Sequence, residues 1–189
     1  MSIKASYKIV IALIIILITI LLSCLLYKSN FIQKNYLYPF KYQNLIFASA
    51  IENNVNPYMI ASVIKAESNF KNNVHSIKGA SGLMQIMPET GIWIAHKLNY
   101  KDELDLEDPK VNILLGSWYL SYLKNEFNNN EILCLAAYNA GIGNVKKWVV
   151  TYNWSENFNE VNQIPFSETR MYVERVLYYK EKYQYLYGQ

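Results

Sequence analysis

Cysteine and histidine are scarce in this 189-residue chain: Cys24, Cys134, His75 and His96 are all it has. Two thiols, one inside an apolar run, make no disulfide framework, and no Cys/His spacing suits zinc, so no metal site is expected. Charge is sparse too, 18 Lys+Arg against 15 Asp+Glu. So near a balance excludes a dedicated nucleic-acid binder. No long alternation of apolar and polar residues occurs, which excludes a strand-rich fold. What the chain does have is apolar and aromatic matter. Hydrophobic residues make up 52%, ruling out a disordered tail, and 17 tyrosines with 4 tryptophans are enough for both a core and a stacking surface for a flat or cyclic ligand.

From Ile9 to Leu26 no charge appears, with Lys4 and Lys8 before the run and Lys28 after it. About 20 such residues span a bilayer. The run is longer than a signal-peptide core and no small-residue cleavage site follows, so it reads as an uncleaved anchor over residues 9–27. Leu21-Leu22-Ser23-Cys24 faintly resembles a lipoprotein box, but Leu25, Leu26 and Tyr27 stay apolar where a mature lipoprotein would turn polar. Residues 28–40 form a polar and aromatic connector, and residues 41–187 one domain. Lys28, Lys34 and Lys41 follow the span, so charge does not decide which side the domain faces.

Within the domain, helix starts recur. Asn56-Pro57 precedes the stripe Ile60, Val63, Ile64, and Asp108-Pro109 precedes Ile113, Leu114, Trp118 and Tyr122. Asn130 precedes Leu133, Ala136 and Ala137 in a helix ending near Gly141, and Ser167 precedes Tyr172, Val173, Val176 and Tyr183. Residues 78–85, with Gly79 and Gly82, read as an irregular loop or small hairpin. A mainly α domain follows.

Glu67 continues the inward stripe of the helix that begins at Pro57, four residues past Val63 and seven past Ile60. Desolvation and the negative helix end both disfavour its charge, which would lift its pKa into the range of a general acid. The competing reading is a surface Glu paired with Lys71 at i+4.

The sequence around it tips the balance. Glu67-Ser68-Asn69-Phe70 leads through Ser76 and Gly79-Ala80-Ser81 to Gly82-Leu83-Met84-Gln85-Ile86-Met87-Pro88-Glu89-Thr90; later come Ala137-Tyr138-Asn139-Ala140-Gly141 and the run from Ile164 to Val173. In these motifs, from Tyr38 to Tyr183, the chain resembles the lytic transglycosylases of the soluble-lytic-transglycosylase (SLT) type, in the lysozyme-like superfamily with the goose-type lysozymes. The resemblance implies that fold for the domain, which the apolar run sets behind a single transmembrane helix, and peptidoglycan glycan strands as substrate. It makes Glu67 the single catalytic acid/base and Tyr172 the tyrosine that approaches it. Ser68 and Ser76 match polar positions beside the acid, and Gly82, Met84 and Gln85 match the groove-walling loop. Tyr138, Asn139 and Glu168 match further glycan-facing positions. Each has a plain structural alternative: Gly82 permits a turn, Met84 fills core space, Tyr138 packs, Gln85 and Asn139 cap loops, Glu168 serves its helix dipole.

The implied reaction needs no metal or organic cofactor. One carboxyl group protonates the glycosidic oxygen and then deprotonates the muramoyl C6 hydroxyl, where ordinary glycosidases use two carboxylates. The resemblance also orients the anchor, placing the domain outside the cytoplasmic membrane and residues 1–8 in the cytoplasm. Two rivals remain. A muramidase would need a second carboxylate, for which the run Asp102, Glu103, Asp105, Glu107 and Asp108 is the source, though such clusters usually sit on the surface. A catalytically idle glycan-binding module of a larger envelope assembly is the other. His75-Ser76-Ile77-Lys78 is bulkier than many relatives show and would alter the groove's edge.

Overall fold

The computed structural model describes residues 3–188, with side chains from Tyr7 onward. The chain divides at Pro39/Phe40 into two compact units. In the first, helix α1 (Ile3–Lys28) contains one stretch, Tyr7–Lys28, long and apolar enough to cross a membrane, with none of it buried. Thr19 turns its hydroxyl back onto Ile15 O at 2.5 Å, so that hydroxyl is satisfied within the helix. Ser29 is extended and breaks the helix, and a single turn α2 (Asn30–Ile32) runs into a π-helical turn from Gln33 to Leu37. The segment expected in the cytoplasm includes Met1 and Ser2, which lie outside the described residues.

The second unit holds seven α-helices among the described residues, α3 (Gln43–Asn53), α4 (Pro57–Glu67), α5 (Pro88–Lys97), α6 (Pro109–Glu126), α7 (Glu131–Ala140), α8 (Ile142–Thr151) and α9 (Ser167–Tyr187), with a 3-10 turn, Val161–Gln163, before the last. Caps explain where several begin. Asn56 accepts from the N–H groups of Tyr58 and Met59, Asp108 from Val111, and Asn130 from Leu133, with Pro57 and Pro109 at first-turn positions where a missing N–H costs nothing. Ser167 is the first residue of α9 rather than its cap; Phe166 takes the flanking position without a side-chain cap bond.

Helix α4 runs through the centre. Met59, Ile60, Ala61, Ser62, Val63 and Ile64 are all buried, and each large apolar side chain so placed contributes about 1.5–3 kcal/mol. Its longest packing partner is α9, which lies also against α7, while α6 bridges α3 and α7. Phe40, Phe47, Tyr58, Tyr183 and Tyr187 cluster where α3, α4 and α9 converge, Phe40 meeting the two tyrosines of α9 edge-on while these stack on each other. No strand forms among the described residues; the 74–87 segment has only isolated bridges, His75 with Ser81 and Ser81 with Ile86.

One stripe does not go where its periodicity points. In α6 the core receives Val111, Asn112, Ile113, Leu115, Gly116, Leu120 and Leu123, whereas Leu114, Trp118 and Tyr122 stay half-exposed. A helix with apolar residues around more than one face must show some of them to something other than the core.

Candidate active site

Helix α4 stops at Glu67 because Ser68 closes it: its N–H reaches Ile64 O, and its hydroxyl lies 3.1 Å from Ile64 O and 2.8 Å from Leu83 O. Asn69 and Phe70 then take left-handed backbone angles, reversing the chain within two residues. Glu67 is thus left partly shielded at the helix end. Among the described residues it makes no ion pair with Lys71, whose side chain is exposed.

The loop that follows is built around one side chain. Asn112 of α6 is fully buried; its amide donates to Leu106 O at 2.7 Å and Ser81 O at 3.0 Å, and its oxygen accepts from Met84 N–H at 2.7 Å. Gly82 lies against it with φ +81°, and a Cβ there would stand 2.1 Å from Leu106 O and 2.3 Å from Asn112 Nδ2, so only glycine fits. Gln85, itself left-handed, folds its amide back onto Val74 O and Gly82 O, both at 2.9 Å. Tyr138 of α7 donates its hydroxyl to Met84 O at 2.8 Å. Ser76 accepts Ala80 N–H at 2.9 Å, and the adjoining Ile77 projects fully into solvent. His75 spans from Ser81 Oγ, 3.0 Å away, to Glu107 Oε1, also 3.0 Å away.

Electrostatics set Glu67 apart. Burial lifts its carboxyl to about 7; the Tyr172 hydroxyl and the Arg175 charge pull it down, and the Glu168 charge pushes it up. The Tyr172 hydroxyl, 2% exposed as a residue, completes no well-formed hydrogen bond among the described residues, so it acts on the carboxyl as a nearby dipole rather than a seated donor. Burial, with the Glu67 charge next, drives the phenols of Tyr172 and Tyr138 well above their ordinary range.

Four residues singled out in sequence therefore share one electrostatic neighbourhood: Glu67, Tyr172, Tyr138 and Glu168. Others surround them in a different capacity. Ser68 and Met84, expected to face a groove, are buried: Ser68 spends its hydroxyl on backbone carbonyls, and Met84 packs its sulfur where a Cβ on Gly116 would stand 2.3 Å away. Their part is to hold the loop. Gln85 does the same with its amide, and Asn139 accepts from Thr169 Oγ1 at 2.8 Å, joining α7 to α9. In the acidic run, Glu107 is engaged by His75, Asp105 accepts Glu107 N–H, and Asp108 caps α6. A hollow of about 410 Å³ beside Asn128, Glu156 and Phe158 shares no lining residue with this cluster.

Sequence reading missed Asn112, Thr169 and Arg175. Asn112 had a signal: an amide side chain between Val111 and Ile113 on a helix must bond to something if it is buried. Thr169 and Arg175 had none, since their partners come from other helices.

Replacing Tyr172 by Phe removes an influence that lowers the Glu67 pKa. The acid's ionisation is expected to move upward from about 7, read as an alkaline displacement of the ionisation in a carboxyl-selective NMR or infrared titration.

A family model described as the transglycosylase SLT domain matches residues 44–161, and one described as the soluble lytic transglycosylase helical domain matches 163–189. The soluble lytic murein transglycosylase of Escherichia coli K12 is 37% identical over 155 residues, covering 80% of this chain and 24% of that protein. The membrane-bound lytic murein transglycosylase E of Buchnera aphidicola is 31% identical over 144 residues, 70% of this chain and 68% of its own length. Among solved structures, the 70 kDa soluble lytic transglycosylase of E. coli superposes with a TM-score of 0.75 at 35% identity, over 80% of this chain and 25% of that one. A 70 kDa soluble lytic transglycosylase solved in complex with bulgecin A superposes with a TM-score of 0.75 at 35% identity, over 80% of this chain and 25% of that one. This chain spans about a quarter of the length of those soluble relatives.

Proposed function

Because the chain belongs to the transglycosylase SLT family, we propose that it is a peptidoglycan lytic transglycosylase, held to the membrane by α1 with its domain on the outer side. The Glu67 carboxyl carries this reading. A carboxyl group with a pKa about 7 gives and takes a proton with comparable ease at neutral pH, which is what a single group acting as acid and then base requires.

The proposed steps balance without water. Glu67 protonates the glycosidic oxygen between N-acetylmuramic acid and N-acetylglucosamine, the bond from that oxygen to the muramoyl C1 breaks, and N-acetylglucosamine leaves with a free hydroxyl. The substrate's own N-acetyl oxygen stabilises the cationic C1. The Glu67 carboxylate then removes the proton of the muramoyl C6 hydroxyl, whose oxygen bonds to C1 and closes a 1,6-anhydro ring. A hydroxyl tethered to the same sugar has a high effective concentration, so no second enzyme carboxylate is called for. The Tyr172 hydroxyl moderates the basicity of the carboxyl; Glu168 and Arg175 set the field around it. Tyr138, Gln85 and Asn139 shape the wall against which the strand lies, and Ser76 borders the same loop.

The experiment is a digest of purified peptidoglycan by the full chain in detergent micelles, with the fragments weighed by mass spectrometry. Anhydro-muramoyl ends are expected. Hydrated reducing ends would make it a muramidase instead, and intact glycan a binding module of an envelope assembly.

A further inference from the structure

The chain does not leave α1 as a loose tether. Ser29 breaks the helix, and a helix end needs partners for the carbonyls it leaves open. Two of them are met at once from within the chain: Ser29 N–H reaches Leu26 O at 3.0 Å, and the Gln33 side-chain amide folds back to donate to Tyr27 O at 3.2 Å. Gln33 N–H binds Ser29 O at 2.9 Å, Asn35 donates its amide to Phe31 O at 2.8 Å, and Tyr38 N–H closes the π turn on Gln33 O at 2.7 Å. A turn whose backbone is bonded to itself is fit for a layer where water is scarce.

Its side chains divide to match. Gln33 is buried, whereas Tyr27, Phe31 and Tyr36 are 56, 67 and 70% exposed. An aqueous tether has no use for three open rings, which water solvates poorly. Lys28 and Lys34 are exposed between them, and no acidic residue precedes Glu52 in the chain. Depth fits as well. The 22 residues of Tyr7–Lys28 rise about 33 Å at ~1.5 Å each, slightly more than the ~30 Å hydrocarbon core, so Tyr27 and Lys28 emerge at its edge. The turn that follows then begins in the headgroup layer, about 5–7 Å deep on each side. Tyrosine, with an apolar ring and a hydroxyl tip, is a residue type that settles there, and a lysine on its long stem reaches lipid phosphate.

We propose that residues 27–36 form an interfacial collar on anionic phospholipid: Tyr27, Phe31 and Tyr36 lie in the headgroup layer of the leaflet from which the chain emerges, with Lys28 and Lys34 on its phosphates. The inference rests on α1 being a membrane span. Beyond that reading, it holds the chain at the exit as well as through the core. Rings embedded at one depth oppose sliding of α1 along its axis, and the break at Ser29 lets the turn lie along the surface instead of continuing outward. A lipid surface suits these rings better than a protein partner, because they adjoin the span and share its exposure.

Depth, read by electron spin resonance, tests the collar. The full chain carrying Cys24→Ser and Asn30→Cys, with a nitroxide on the new thiol, goes into vesicles of equal parts phosphatidylglycerol and phosphatidylethanolamine. Cys134 is buried and stays unlabelled. The label is expected to collide with dissolved oxygen and to lose most of the broadening by a water-soluble nickel chelate that the same label shows in Ile77→Cys, since Ile77 projects fully into solvent. Adding Phe31→Ser and Tyr36→Ser should bring most of the chelate effect back, and vesicles of phosphatidylcholine alone should bring back part of it. In a chain that survives alkaline carbonate extraction, chelate access equal to that at Ile77, or unchanged by the two serine substitutions, overturns the collar and leaves the span standing. A chain that carbonate strips from the vesicles sinks the span, and the collar with it, so the two failures are distinct.

Discussion

Glu67→Gln is expected to cut peptidoglycan at least about a hundredfold more slowly than the native chain while still binding glycan, since general acid–base groups contribute about 10²–10⁴ in rate and an amide can neither give nor accept the proton. Here that one group serves both steps, so the loss should lie toward the upper end. The same variant should also be the more stable protein above neutrality. The folded chain holds the Glu67 proton to about pH 7, whereas an unfolded chain releases it near 4.5, so between those values the native state binds the extra proton and its stability falls as pH rises. Above pH 7 the ionised carboxyl costs up to about 3 kcal/mol, a cost that Gln does not incur. Urea denaturation of both forms at pH 4 and pH 8 checks this: the difference should be near zero at the acid end and appear by pH 8. Equal stability at pH 8 would mean that Glu67 is solvated like any surface carboxylate, and the reading of it as an acid would fall with that result.

Asn112→Ala should be the most damaging single change outside the acid. It deletes three hydrogen bonds at once and leaves Met84 N–H and Leu106 O to find partners in a place largely closed to water, while Ser81 O keeps the Ile86 N–H. An unsatisfied buried backbone group costs about 1–3 kcal/mol, so for the two groups a loss of about 2–6 kcal/mol is expected, against a total stability of about 5–15 kcal/mol for a domain. Asn112→Asp would not rescue it, because a carboxylate offers no donor to the two carbonyls and brings a buried charge. Denaturant midpoints measure the effect. A midpoint unchanged in Asn112→Ala would show that water reaches the loop freely and that the 81–84 backbone is not held from α6.

The consequence for function runs through geometry. The loop that carries Gly82, Met84 and Gln85 is tied from three directions, by Ser68 at the end of α4, by Asn112 on α6 and by Tyr138 on α7. Three ties from three helices fix the loop beside Glu67 more firmly than any bond within the loop could. Polar residues that looked in sequence like sugar contacts are in large part fasteners of the surface that sugar would meet.

The line between what was legible and what was not follows interaction range. Chain order alone located α4, α6 and α7, because Asn56-Pro57, Asp108-Pro109 and Asn130 act on backbone groups two or three residues away, and local chemistry is written in local sequence. It located the apolar span of α1 for the same reason, since crossing a bilayer depends on a run of composition. It marked Glu67 by its place on an inward stripe. The third dimension decided the rest. Which hydroxyls and amides were free to face a ligand depended on carbonyls up to dozens of residues distant, as with Tyr138 and Met84, 54 positions apart. Whether Trp118 and Tyr122 entered the core depended on which face of α6 its neighbours covered, and helical periodicity names a face without naming its partner. The pKa of Glu67 was likewise set in three dimensions: burial first and the Glu168 charge raise it, while Tyr172 and Arg175 hold it down, all three of these residues lying more than a hundred positions along the chain.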